Sequence, residues 1–229
     1  MKRLLVHVEG QTEETFVNEL LSPHLLGFGY EKVAARLMGN ARQRQQRGGI
    51  SGWATVRRDL TNHLKEDAGS VGAVMVDYYA LPSGGGSPWP GRAAASTLAF
   101  DQKAPSVNTA IAADVAAVMG NGFNNARFVP YVMMHEFEGL LFSDCTAFAN
   151  GVGNPSLAPA FQAVRDAFPT PEHINDSPIT APSKRVSAIV SGYDKPLFGT
   201  LAALEIGLDK MRSECRHLDE WLTKLEAIP

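Results

Sequence analysis

Five carboxylates stand where chemistry could use them. Two apolar runs, residues 4–8 and 71–76, each finish in an acid, Glu9 and Asp77. The carboxyl tips of buried strands are where open α/β sheets place their ligands. If the two strands are neighbours, their acids meet at one sheet edge, and like charges repel unless a cation joins them. Hard divalent cations prefer such oxygen ligands. A further apolar run, residues 127–134, leads into His135-Glu136-Phe137-Glu138. This is not the zinc-protease motif, because Gly139 stands where a second histidine is needed. In a helix, Glu136 and Glu138 point about 200° apart, so one of them can join a site while His135 and Glu138 share a face. In an extended segment the two glutamates share a face. The spacing leaves both open, and a plain helix start whose acids suit the dipole is the third reading.

The elements that position these acids follow from patterning. Gly10 lets the chain turn after the first strand, and Thr12 can cap a helix opened by Glu13 and Glu14, acids that suit its positive end. Phe16, Val17, Leu20 and Leu21 recur at helical spacing, and Ser22-Pro23 predicts a break or kink. Residues 32–38 read as a strand. The polar stretch 39–52 holds Arg42, Arg44 and Arg47, either a solvated basic loop or a phosphate contact through guanidinium forks. Trp53, Val56, Leu60 and Leu64 mark a helix that extends the positive patch with Arg57 and Arg58. Residues 71–76, nearly all apolar, predict a strand buried on both faces. Residues 78–92 are a glycine-rich loop without the Gly-Lys-Ser/Thr ending of a phosphate-binding loop. Residues 107–119 predict a helix packed on the sheet.

From residue 150 the composition shifts to Pro, Asn and short helical runs, at 157–168, 182–190, 197–208 and 217–225. The expected organisation is therefore an α/β domain over 1–149 and a helical C-terminal extension over 150–229 packed on it. Within the extension, Pro182-Ser183-Lys184-Arg185 places Ser183, Lys184 and Arg185 at a helix N-terminus. That is either an anion site or a solvated helix start.

With 229 residues, 45% hydrophobic and 20% charged, the chain is long enough for one sizeable core and has no signature of wholesale disorder. A net charge of -3 and a pI near 6.1 exclude a global basic field, which leaves a local patch as the only route to nucleic acid. Cys145 and Cys215 lack zinc or disulfide-framework spacing, which predicts two reduced thiols and a cytoplasmic setting. The N-terminal apolar run is too short for a signal peptide and meets Glu9 instead of a cleavage site, and no run is long enough to cross a membrane.

Together, Val8-Glu9-Gly10-Gln11-Thr12-Glu13, the strand ending in Asp77, and Pro130-Tyr131 leading to His135-Glu136-Phe137-Glu138 and Leu140-Leu141-Phe142-Ser143 resemble an uncharacterised TOPRIM-like family. The likeness extends to Ile174-Asn175, Ala181-Pro182-Ser183-Lys184-Arg185 and the segment from Cys215 to Trp221, and so covers nearly the whole chain. It is related to TOPRIM nucleases of the overcoming-lysogenization-defect type and is often paired with ABC-type ATPases. The resemblance implies a Rossmann-like, mostly parallel TOPRIM sheet flanked by helices. It also implies a Mg²⁺- or Mn²⁺-dependent nuclease acting on DNA or RNA, as the effector of a bacterial defence system with an ATPase partner. Glu9 and Glu13 match the two metal-binding carboxylates of the Glu-Gly-x-Ser/Thr-Glu segment, and Asp77 matches the first acid of an Asp-x-Asp strand end. Tyr79 stands at the second, so Glu136 or Glu138 is required to complete the shell. Lys184, or an arginine of the 42–58 region, is then the cation for developing negative charge. The alternative is a non-catalytic TOPRIM module that binds an ATPase partner or nucleic acid.

Overall fold

The structure is a computed structural model that describes residues 1–38, 50–175, 177 and 179–229. Its centre is a four-stranded, all-parallel sheet among the described residues, with strands β1 (Lys2–Val8), β2 (Tyr30–Leu37), β3 (Ser70–Asp77) and β4 (Phe128–Met133) in the order β2-β1-β3-β4. The expected α/β class with flanking helices is therefore the observed one. Every residue of β3 is buried, as its unbroken apolar run requires of a central parallel strand.

After β1 the chain forms helix α1 (Gln11–Phe16), a π-helical stretch Val17–Leu21 and helix α2 (Ser22–Leu26) without a break. The break expected at Ser22-Pro23 does not occur. Pro23 lies near the start of α2, and the irregularity is taken up by the π-helical turn before it. Helix α3 (Trp53–Leu64) precedes β3, and the short α4 (Arg92–Ala95) and the long α5 (Phe100–Met119) precede β4. Helix α5 starts well before the expected 107, because it carries Pro105 inside its second turn, where patterning suggests a boundary.

Beyond β4 come α6 (Phe137–Leu141), α7 (Cys145–Gly151), α8 (Ala158–Arg165), α9 (Pro182–Ile189), α10 (Lys195–Ile206), α11 (Leu208–Glu214) and α12 (Arg216–Glu226). The run read at 197–208 is α10, which ends at Ile206, and α11 after it is not marked by the patterning. Gly207 separates them with φ 77°, a conformation in which a side chain would be strained.

Side chains alternate across the strands, so the sheet divides the interior in two. Val74, Val76, Phe128 and Val132 face α3 and α5, in a core with Trp53, Leu60, Val107 and Ile111. Leu4, Val6, Val8, Val71, Ala73, Met75, Tyr131 and Met133 face the other way. There they share a larger core with α1, α7, α10 and α12, including Phe16, Phe148, Ala202, Leu218 and Trp221. The segment from α1 to α2 and the C-terminal helices cover this face together. Trp221 stacks on Tyr131 with ring centres 4.9 Å apart and donates its indole N–H to the Val129 carbonyl at 3.0 Å. Helix α10 lies close on α7 because position 151 is glycine: a Cβ there would meet the Ala202 backbone at 2.4 Å.

Candidate metal centre

Parity decides where Asp77 points. It shares the alternation of Val71, Ala73 and Met75, so the last residue of β3 faces the α1 and α10 layer. Strands β1 and β3 are direct neighbours, with Val8 opposite Met75, and β3 is paired in turn with β4, with Asp77 opposite Met133. The strand order therefore brings three consecutive carboxyl ends together. Glu9 follows the first, Asp77 closes the second, and the His135–Glu138 segment follows the third.

The local turns complete the arrangement. Gly10, not Thr12, is the N-cap of α1; its carbonyl accepts the Glu14 amide at 3.0 Å, and no side chain caps the helix. Helix α1 opens earlier than expected, so Thr12 lies buried in the first turn instead of bonding to amides. The same shift turns Glu13 inward, where it is 2% exposed. A Cβ at position 10 would stand 2.8 Å from Glu13 Oε2, so a side chain there would displace the end of the Glu13 carboxylate.

In the His135–Glu138 segment, Glu136 is the N-cap of α6 and Glu138 lies in its first turn. The two acids part company. Glu138 is fully buried, whereas Glu136 accepts the Ser183 main-chain N–H at 2.8 Å while staying close enough to raise Glu9 and Glu138 electrostatically. The Ser183 N–H at the start of α9, expected either to meet an anion or to be solvated, is taken by the chain's own Glu136.

At the centre of the acids stands Lys195, the first residue of α10. Its Nζ lies 3.0 Å from Glu138 Oε2 and 3.8 Å from Glu13 Oε1. Asp77 and Glu9 are its further electrostatic neighbours. Four carboxylates thus share one ammonium. Asp77 Oδ1, Glu138 Oε1 and Glu9 Oε2 are buried with no hydrogen-bond partner among the described residues.

The ionisation of the acids reflects this shortage of positive charge. Burial, reinforced by the Glu13 carboxylate and opposed by Lys195, pushes Glu9 up to about 7. Burial also holds Asp77 well above the usual carboxylate range, against the pull of Lys195, and raises Glu138. For Lys195, burial works to lower the ammonium's value, but Glu138, Asp77 and Glu13 overrule it and raise it well above normal. The Tyr193 hydroxyl is buried beside Glu138 and Lys195 without a partner among the described residues, and burial raises it too.

The remaining sequence candidates fall elsewhere. Arg42, Arg44 and Arg47 lie outside the described residues. Arg57 is held by Asp114 at 3.0 Å, an acid that also accepts the Trp53 indole N–H at 2.7 Å, so its fork ties α3 to α5. Arg58 is exposed beside Asp59. Arg185 donates to the Thr180 carbonyl and to Asn175 Oδ1 and lies over the Phe168 ring, so its guanidinium is structural. Lys184 is exposed on α9 and makes no ion pair with the acids. Among the described residues the cation in the cluster is Lys195, which patterning did not single out. One local signal was there: a lysine directly after the helix cap Asp194 stands against the helix dipole, an unfavourable place that calls for an acid from elsewhere.

As they stand, no three Asp, Glu, His or Cys side chains among the described residues are spaced to grasp one metal ion. The donor set nevertheless suits a hard divalent cation in its chemistry. Every donor is a carboxylate oxygen, several are buried and unsatisfied, and one ammonium cannot balance four acids. The charge at the centre is already of the required sign.

No helix among the described residues is long and apolar enough to cross a membrane. The chain belongs to the family described as Domain of unknown function (DUF4276), whose model matches residues 8–226 and so spans β2 to β4, the acidic cluster and the C-terminal helices. No curated protein and no solved structure matches it.

Proposed function

We propose that in this member of the family the carboxylate cluster binds Mg²⁺ or Mn²⁺ and serves phosphodiester hydrolysis of DNA or RNA. The protein would be a TOPRIM-like nuclease working with an ABC-type ATPase in bacterial defence. The observation that carries the reading is the set of buried carboxylate oxygens without partners at the carboxyl edge of a parallel sheet. Buried, unsatisfied acids are destabilising, and such groups are retained chiefly where they serve a site.

Glu9 and Asp77 would hold the ion, with Glu13 and Glu138 completing the oxygen set in place of the acid that Tyr79 does not supply. When bound, the ion activates a water, neutralises the phosphate and stabilises the leaving oxygen. The chain's own residues prepare the place. Gly10 leaves room for the Glu13 carboxylate, and Glu136, bonded to the Ser183 amide, ties α6 to α9 while Glu138 faces the cluster. Lys195 supplies a positive charge at the reacting edge, the kind of group that stabilises charge developing on a phosphate.

A non-catalytic module is the second reading, favoured by Tyr79, which is 41% exposed and offers no carboxylate. Purified protein incubated with supercoiled plasmid and with structured RNA, with and without Mg²⁺ or Mn²⁺, separates the two. Metal-dependent cleavage that disappears in Asp77→Asn and Glu9→Gln supports the nuclease. Cleavage that survives both substitutions removes the proposed site, and binding without cleavage favours the module.

A further inference from the structure

We propose that Lys195 is an internal competitor for the divalent cation: its ammonium holds the acids together in the metal-free protein and leaves them when the ion binds. The inference rests on the metal-site reading above and adds a regulated step to it. Two observations carry it. The Lys195 ammonium stands among Glu138, Glu13, Asp77 and Glu9, the same oxygens that a metal would need. Asp77 and Glu138 are 6% and 0% exposed and keep unpartnered oxygens in the cluster, so its demand for positive charge exceeds what the lysine supplies.

A divalent ion bound among these oxygens works against the ammonium, because at equal distance it repels that single charge twice as strongly as one carboxylate attracts it. Lys195 is the member free to move. The acids are fixed by β3, α1 and α6, whereas the lysine side chain is a flexible four-carbon stem, 37% exposed, with a way out to solvent. Leaving also relieves an unfavourable contact, since Lys195 sits at the positive end of α10. Once outside, the ammonium remains near the sheet edge, where a phosphate substrate would meet it.

Competition of this kind lowers the apparent metal affinity by the fraction of molecules whose lysine is out. Isothermal titration with Mn²⁺ of the wild-type chain, Lys195→Met, Asp77→Asn and the double variant tests it. The expected result is that Lys195→Met binds Mn²⁺ about tenfold more tightly than wild type, and that Asp77→Asn weakens binding in both backgrounds. Equal affinity of wild type and Lys195→Met, with Asp77→Asn still weakening both, overturns the competition and leaves the metal site standing. No binding by any of them, or binding indifferent to Asp77→Asn, overturns the metal site and the competition together.

Should Lys195→Met fail to fold, the wild-type chain gives a second readout. Amine acylation followed by mass spectrometry should show Lys195 modified several times faster with Mn²⁺ present, with Lys210 and Lys224 as unchanged references. Protection of Lys195 that is the same with and without Mn²⁺ overturns the inference.

Discussion

Replacing Glu9 with glutamine should stabilise the metal-free protein, and the structure supplies the size of the effect. The carboxyl, normally near 4.5, is pushed up to about 7 by burial and by Glu13. A carboxyl raised on folding holds its proton in the native state while the unfolded chain has released it. Its contribution is therefore fully present below about 4.5 and is lost as pH rises through about 7. At about 1.4 kcal/mol per pH unit, the ionised Glu9 costs the folded protein about 3 kcal/mol at pH 8, somewhat less where solvent reaches it. Glutamine keeps the shape and carries no charge to desolvate. The test is urea unfolding without metal, from pH 4.5 to pH 8, for wild type and Glu9→Gln. The expected gap is near zero at the acid end and grows to about 2 to 3 kcal/mol in favour of the variant at pH 8. Glu172, also pushed up to about 7 by burial, titrates in both proteins and cancels in the difference. With Mg²⁺ or Mn²⁺ added at a hundredfold excess over Kd the gap should close, because the wild type gains about 2.7 kcal/mol of ligand stabilisation that the variant lacks, and at a thousandfold excess, about 4.1 kcal/mol, the order should invert. A Glu9→Gln protein that is less stable at pH 8, or a gap that does not change with pH, would falsify the picture of an uncompensated buried acid.

Two further substitutions probe how the site is held. Glu136→Ala removes the acceptor of the Ser183 amide and should cost about 1 kcal/mol in thermal or urea unfolding, while leaving Mn²⁺ affinity within a factor of a few; a loss of binding as large as that of Glu138→Gln would place Glu136 among the ligands instead. Trp221→Ala empties the space over Tyr131 and leaves the Val129 carbonyl without its indole donor, so a loss of about 3 to 5 kcal/mol is expected by denaturant titration. A change below about 1 kcal/mol would mean that α12 adds little to the sheet.

Much of the fold was open to inspection in the chain itself. An unbroken apolar run makes β3 a central strand, and the acids at 9 and 77 mark the carboxyl edge of the sheet, since alternation and turn residues act over a few positions and can be read there. Local rules failed where two of them competed. Thr12 and Gly10 are both acceptable caps, and the earlier turn prevailed; Pro105 resembles a boundary but lies within the second turn of α5.

Other features belong to no local stretch. Whether Glu136 or Glu138 faces the cluster depends on where α6 begins and on the Ser183 amide that bonds to Glu136. That Arg57 and Arg185 are spent on internal partners is visible only once Asp114 and Asn175 are brought to them. Lys195 is the clearest case. In the sequence it is a lysine at an unfavourable helix position, and its reason is a cluster assembled from β1, β3 and α6. The sequence by itself determined the layer, the sheet edge and the acids that reach it. Tertiary packing alone decided which cation stands among them, because an ion pair depends on distance in space and not on separation along the chain.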